Sequence, residues 1–204
     1  LEQIIFQIGI TAFLILVAYY GTEAYAAYGI GVQILSFSFV IGFGFSIAGA
    51  TLVGQHLGAK NTDQAKRAGW GAMRLSIISM TFFGIIITIF AEPLARFMID
   101  NDEVVRLTVI FIWLLGSMQP LMAIEFSLGG ALRGAGDTKT PLAITLTCLL
   151  FIRVFLAVIF FLLDARIEVI FSTLVADYVV KGFLYVARFK SDKWMSALKS
   201  KEAV

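Results

Sequence analysis

A single cysteine, a single histidine, three prolines and few charges are spread over 204 residues, and each scarcity removes a class of protein. Cys148 has no second thiol to pair with, so no intramolecular disulfide holds the chain together. His56 stands without a cysteine or carboxylate at ligand spacing, which leaves no metal site around it. Charged residues make up 15% and the net charge is only +2. The basic residues sit at the ends of apolar runs rather than on a polar domain, so no nucleic-acid partner is expected. No His/Asp or Ser/Lys constellation lies at one depth, and no glycine loop ends in Lys-Ser/Thr, so neither catalysis nor a cofactor is expected. Cleavable leaders leave a signature that is not seen here: Leu1 opens directly on an apolar run, with no Met, and an N-terminal part is expected to be missing.

Apolar residues are plentiful. They form 59% of the chain, and the mean hydropathy of +0.90 is more than a water-facing surface tolerates, so the chain belongs in a bilayer. Six stretches are long enough to cross about 30 Å of hydrocarbon. They lie near residues 4–20, 25–53, 67–91, 104–133, 141–163 and 168–188, and short connections rich in Gly, Asp, Asn and Pro join them. Every backbone amide must find its partner inside such a segment, and the runs are too long for barrel strands. The expected fold is therefore all-α and integral to the membrane, a six-helix transmembrane bundle over residues 1–189 with a basic tail over 190–204.

Charge orients the bundle. Lys60, Lys66, Arg67, Arg74, Arg133, Lys139, Lys181, Arg188, Lys190, Lys193, Lys199 and Lys201 gather on one side, and only Arg96, Arg106 and Arg166 on the other, among six acids. By the positive-inside bias the first side is cytoplasmic, with both ends of the chain on it and the cell (inner) membrane as the location. The tail, with Trp194 among lysines, reads as a short surface helix or as a solvated end. Asp63 stands where it would cap the third helix, after a loop over 54–69.

Within the spans, polar residues are rare enough to mark sites. Glu125 lies about eight residues, roughly 12 Å, from Arg133 and so inside the hydrocarbon layer. A carboxylate there must face water, bind a cation or carry a proton. Pro120 is expected to kink its helix just before it. Met118 and Met122 share its face, soft thioethers beside a negative charge, which suits lipophilic cations; packing is the plain alternative for each. Glu2 heads a stripe of aromatics on the first helix, as a pathway residue or an interfacial one. Gln33 projects from the middle of the second helix toward a ligand or a neighbour. Gln3 and Gln7 read as interhelical glue. Arg153 lies at mid-membrane and needs a partner, either Asp177 or Glu125. Gly42, Ser46, Ala50 and Gly54 recur every fourth residue, a pattern that lets a second helix approach closely.

With these residues in place, the sequence resembles the multidrug and toxic compound extrusion (MATE) transporters. The likeness lies in LEQIIFQIG at 1–9, GTEAYAAYGIGVQILSFSF at 21–39, GFGFSIAGATLVGQHLGA at 42–59 and GGALRGAGDTKTP at 129–141. It implies the second of two six-helix lobes that face each other across a cleft, with a missing N-terminal lobe or a second copy as partner. It also implies a secondary exporter of organic cations or drugs that exchanges them for Na⁺ or H⁺ by alternating access. Acids of the family's seventh and tenth helices, the first and fourth here, are implicated in cation binding. A gapless match puts those acids at Phe6 and Met122, with Glu2 and Glu125 one turn away, and puts Gln33 where some relatives have an acid. Na⁺ at Glu125 is the one metal contact this implies. A lipid-linked oligosaccharide flippase of the wider superfamily, or a self-pairing six-helix scaffold in the membrane lipid, is the alternative.

Overall fold

The computed structural model describes the backbone from Glu2 to Met195 and the side chains from residue 7 to Met195, and all its regular elements are helical. Helix α1 (Glu2–Tyr19) leads through a tight turn at Gly21 into α2 (Thr22–Gly58), α3 (Thr62–Ile89) and the short α4 (Ala91–Met98). Helices α5 (Asp102–Ser117) and α6 (Gln119–Gly134) follow, then α7 (Lys139–Thr147), a π-helical segment (Cys148–Val154) and α8 (Phe155–Leu162) in one line. Helix α9 (Ile167–Lys190) and a 3-10 turn (Lys193–Met195) close the described chain.

Four of these helical runs are long and apolar enough to cross a membrane, α2, α3, α7 to α8 and α9, and the bent pair α5 and α6 makes a fifth. Helix α1 is apolar and shorter over its described part. All six expected segments are therefore helical, with boundaries that differ in instructive ways. The third segment ends before the turn at Phe90, and a separate α4 forms where a simple outer link was expected. The second helix runs on through His56 to Gly58, past the expected start of a loop at residue 54. Asn61, not Asp63, caps α3: its Oδ1 accepts from the Gln64 N–H at 3.1 Å. A side chain placed one residue before the helix reaches the N3 amide, whereas Asp63 already lies in the first turn.

A membrane bundle cannot rely on hydrophobic expulsion between helices, because lipid is as apolar as leucine, so close packing must hold it. The fourfold small-residue stripe of α2 provides that packing against α6. A Cβ on Gly130 would run into the Ser46 carbonyl, and one on Gly134 into that of Ala50. One on Gly54 would stand 3.1 Å from the Gly134 carbonyl. Gly42 is covered by the Phe126 ring. Outward faces carry bulky apolar side chains such as Phe37, Val40, Ile47, Phe82, Phe151 and Phe183, all exposed as a lipid-facing surface would be.

The two ends of the bundle are tied by ion pairs. At one end Arg96 bridges Glu92 and Asp102, and Arg106 bridges Glu103 and Glu168. At the other, Lys66 meets Asp192 at 2.6 Å and Arg188 meets Asp137 at 2.6 Å. Burial pushes the Asp137 carboxyl up, but hydrogen bonds from Arg188 and Thr140 outweigh it and hold the group below the usual carboxylate value. Beside this pair the described start of the tail packs on the bundle. Trp194 is buried, stacked on Phe189 at 4.7 Å, and its indole N–H donates to the Phe189 carbonyl at 2.8 Å. The start of the tail, as far as Met195, is therefore packed onto α9, with the Trp194 ring beside Phe189 and Trp70.

Candidate functional site

Between α2, α6, the π segment and α9 lies an open cavity of about 580 Å³. Its walls are largely aromatic and aliphatic, with Tyr28, Phe39, Phe43, Phe126, Tyr178 and Tyr185 prominent, and four charged side chains reach it: Glu125, Arg133, Arg153 and Lys181.

Each charge is delivered by local structure. Met118 interrupts the fourth span, and Pro120, in the first turn of α6, has no N–H to donate. The two halves meet at a 54° bend, and Glu125 follows on α6 with its side chain 20% exposed toward the cavity. The π segment, whose hydrogen bonds span one residue more than those of an α-helix, carries the buried Arg153. On α9, Asp177 and Lys181 stand four residues apart and so share a face. The Arg153 guanidinium meets Asp177 Oδ2 at 2.6 Å, Lys181 Nζ meets the same oxygen at 3.1 Å, and Lys181 meets Glu125 Oε1 at 3.5 Å. Tyr178 lies under both cations, with its ring centre 5.6 Å from Arg153 and 5.3 Å from Lys181. Buried charges in a membrane persist only when paired, and these four form a matched set. Asp177 is fully buried behind the wall, which leaves Glu125 as the acid that faces the opening. Arg133, near the end of α6, extends to Ser46 Oγ at 3.3 Å.

Of the residues singled out in the sequence, the structure brings Glu125, Arg153 and Asp177 together, and Arg153 takes Asp177 rather than Glu125 as its direct partner. Met122 does not reach the cavity. It is fully buried against Met80 and Ala123, so it packs the core as its plain reading held. Met118 is half-buried at the break between α5 and α6 and is also absent from the wall. Gln33 is exposed on α2, where Val32 takes the cavity side. The Glu2 and Gln3 side chains lie outside the described residues. Lys181 needs correcting: grouped above with the cytoplasmic basic residues, it is 2% exposed and held by two carboxylates. Its sequence signal was available, since an acid four residues before a base inside an apolar span is an intrahelical pair. Among the described residues no three or more His, Cys, Asp and Glu gather as a metal site.

Residues 1–159 match the family pattern of MatE. The chain belongs to the MatE family. A relative from Thermotoga maritima, a probable multidrug resistance protein NorM, is 34% identical over 203 residues, which are 95% of this chain and 42% of that protein. One of the same name from Mannheimia succiniciproducens is 31% identical over 63% of this chain and 28% of its own length. The chain thus spans less than half the length of these curated relatives. Solved MATE structures share the fold: the MATE transporter ClbM in complex with Rb⁺ superposes with a TM-score of 0.87 at 20% identity, covering all of this chain and 47% of that one. An outward-facing MATE family transporter does so at 0.79 and 22%, over 95% of this chain and 43% of its own. MatE membership makes this chain part of a family of membrane transporters.

Proposed function

We propose that this MatE chain is one lobe of a multidrug exporter of the cell membrane, and that lipophilic organic cations occupy the cavity beside Glu125. The observation that carries the reading is a partly exposed, ion-paired carboxylate facing an open, aromatic-walled cavity at mid-span. Rings attract cations through their π faces, the walls accept flat apolar bodies of many shapes, and the acid favours positive charge. Export follows by alternating access: the guest and a coupling ion, Na⁺ or H⁺, each favour one access state, and a ligand with equal affinity for both shifts nothing. A second six-helix lobe, or a second copy, covers the open side. Both ends of the chain lie on the cytoplasmic side, and the basic tail over 190–204 follows the lobe over 1–189 there.

The test is efflux of a fluorescent organic cation from proteoliposomes under an imposed Na⁺ or proton gradient. Glu125→Gln is expected to abolish gradient-driven efflux while the purified variant keeps its helical content and sharp elution. Wild-type efflux by this variant rejects the reading. A second reading, a flippase for lipid-linked oligosaccharides, is favoured by one observation: Arg133, Arg153 and Lys181 all line the cavity, where a phosphate would need cations. It expects Arg133→Gln to stop lipid translocation and Glu125→Gln to spare it.

A further inference from the structure

The four paired charges cancel, and Arg133 on the cavity wall adds a further positive one. Two acids, Glu125 and Asp177, face two bases, Arg153 and Lys181, at separations of 2.6 to 3.5 Å. A carboxylate that holds a free cation in a low-dielectric wall needs unbalanced negative charge around it, and here one more cation would leave the set with an excess of one positive charge. Lys181 cannot escape this arrangement by reaching water, because its side chain is only 3% exposed and its ammonium lies over the Tyr178 ring. The two contacts of that ammonium differ. The one to Asp177 is shorter, is buried and lies within one helix, four residues back, so it survives any movement of α9 against α6. The one to Glu125 is longer, crosses from α9 to α6 and ends on the acid that faces the cavity.

We propose that Lys181 is a tethered cation that occupies the position at Glu125 which a free ion would otherwise take. No alkali cation binds there while the ammonium is in place. A cationic guest gains Glu125 by displacing Lys181, which falls back on Asp177 and returns when the guest leaves. The lysine thus sets the affinity of the site by competing with the guest, and its flexible four-carbon stem allows both positions. The second half of this proposal rests on the cavity being the guest site; the exclusion of alkali ions does not.

The experiment is equilibrium binding of radioactive Na⁺ to the purified full chain in detergent, with no gradient and no transport. Wild type is expected to show no saturable binding, and Lys181→Arg the same, since a guanidinium keeps the position filled. Lys181→Gln is expected to gain a saturable site that the double variant Lys181→Gln, Glu125→Gln loses. Saturable Na⁺ binding by wild type that Glu125→Gln removes would overturn the proposal without any lysine variant. So would a Lys181→Gln protein with native helical content and elution that binds no Na⁺. Binding of tetraphenylphosphonium provides the second readout: Lys181→Gln is expected to bind it roughly tenfold tighter, the lower end for a close charge pair, and unchanged affinity overturns displacement. Failure of export in the proteoliposome test leaves the Na⁺ result standing, so the two readings fail separately.

Discussion

Helix α6 is packed by opposite rules on its two sides. Toward α2 it offers Gly130 and Gly134, which meet the Ser46 and Ala50 backbone with no room for a side chain. Toward α9 it offers Glu125, which meets Lys181 and open space. The first side is held by van der Waals contact summed over many atoms and tolerates no added volume. The second is joined by one longer ion pair, Lys181 to Glu125 at 3.5 Å, backed by the buried contacts of Asp177 to Arg153 and Lys181, a set that tolerates no lost partner. The proposed transport role uses both: a rigid seam that keeps the helices together, and a wall whose contacts can be exchanged for those of a guest.

The comparison can be broken first on the charged side, where the largest effect is expected. Asp177→Asn leaves Arg153 and Lys181 buried with one acid between them, and is expected to cost about 3–5 kcal/mol. Adding Arg153→Met restores the balance and should recover most of that loss in thermal unfolding in detergent. If the double variant is as unstable as the sum of the singles, the set is not held by charge matching. On the seam, Gly130→Ala adds only a methyl group, yet it forces α2 and α6 apart and is expected to cost about 1–3 kcal/mol. A neutral result would show that the seam yields. The comparison is sharpened at the bundle end, where buried Asp137 pairs with the partly exposed Arg188. Asp137→Asn is expected to cost about 1–3 kcal/mol at neutral pH. The folded carboxyl is held below its ordinary value, so its contribution is present above a pH of about 4 and lost as pH falls through the depressed value. The gap between wild type and Asp137→Asn should therefore close on acidification; a gap that widens as the pH drops would contradict the pairing.

Much of the fold was legible because a bilayer imposes a simple grammar: length, hydropathy and Gly or Pro at the breaks mark helices whatever their neighbours. The break before Glu125 was readable from Pro120, and the α2 seam from Gly42, Ser46, Ala50 and Gly54. Site residues were harder. Glu125, Arg153 and Asp177 stood out because charge in lipid is costly, but Lys181 looked like an end-of-span lysine until its neighbours were placed. Met122 shares a helix face with Glu125 yet packs the core, and Gln33 is exposed on α2; facing is relative to partners a single helix does not reveal. The π segment left no composition signal, since CLLFIRV is an ordinary apolar stretch.

By itself the sequence determined that the chain crosses a membrane as helices, where α2 lets another helix approach, and that ionisable groups lie at mid-span. Those follow from one-dimensional spacing and from transfer cost. Only the tertiary structure decided which acid meets which base, that Lys181 stands beside Glu125, and which residues face the cavity. Pairing depends on the rotation of three helices about their own axes, and those rotations are set by packing contacts between residues far apart in the chain.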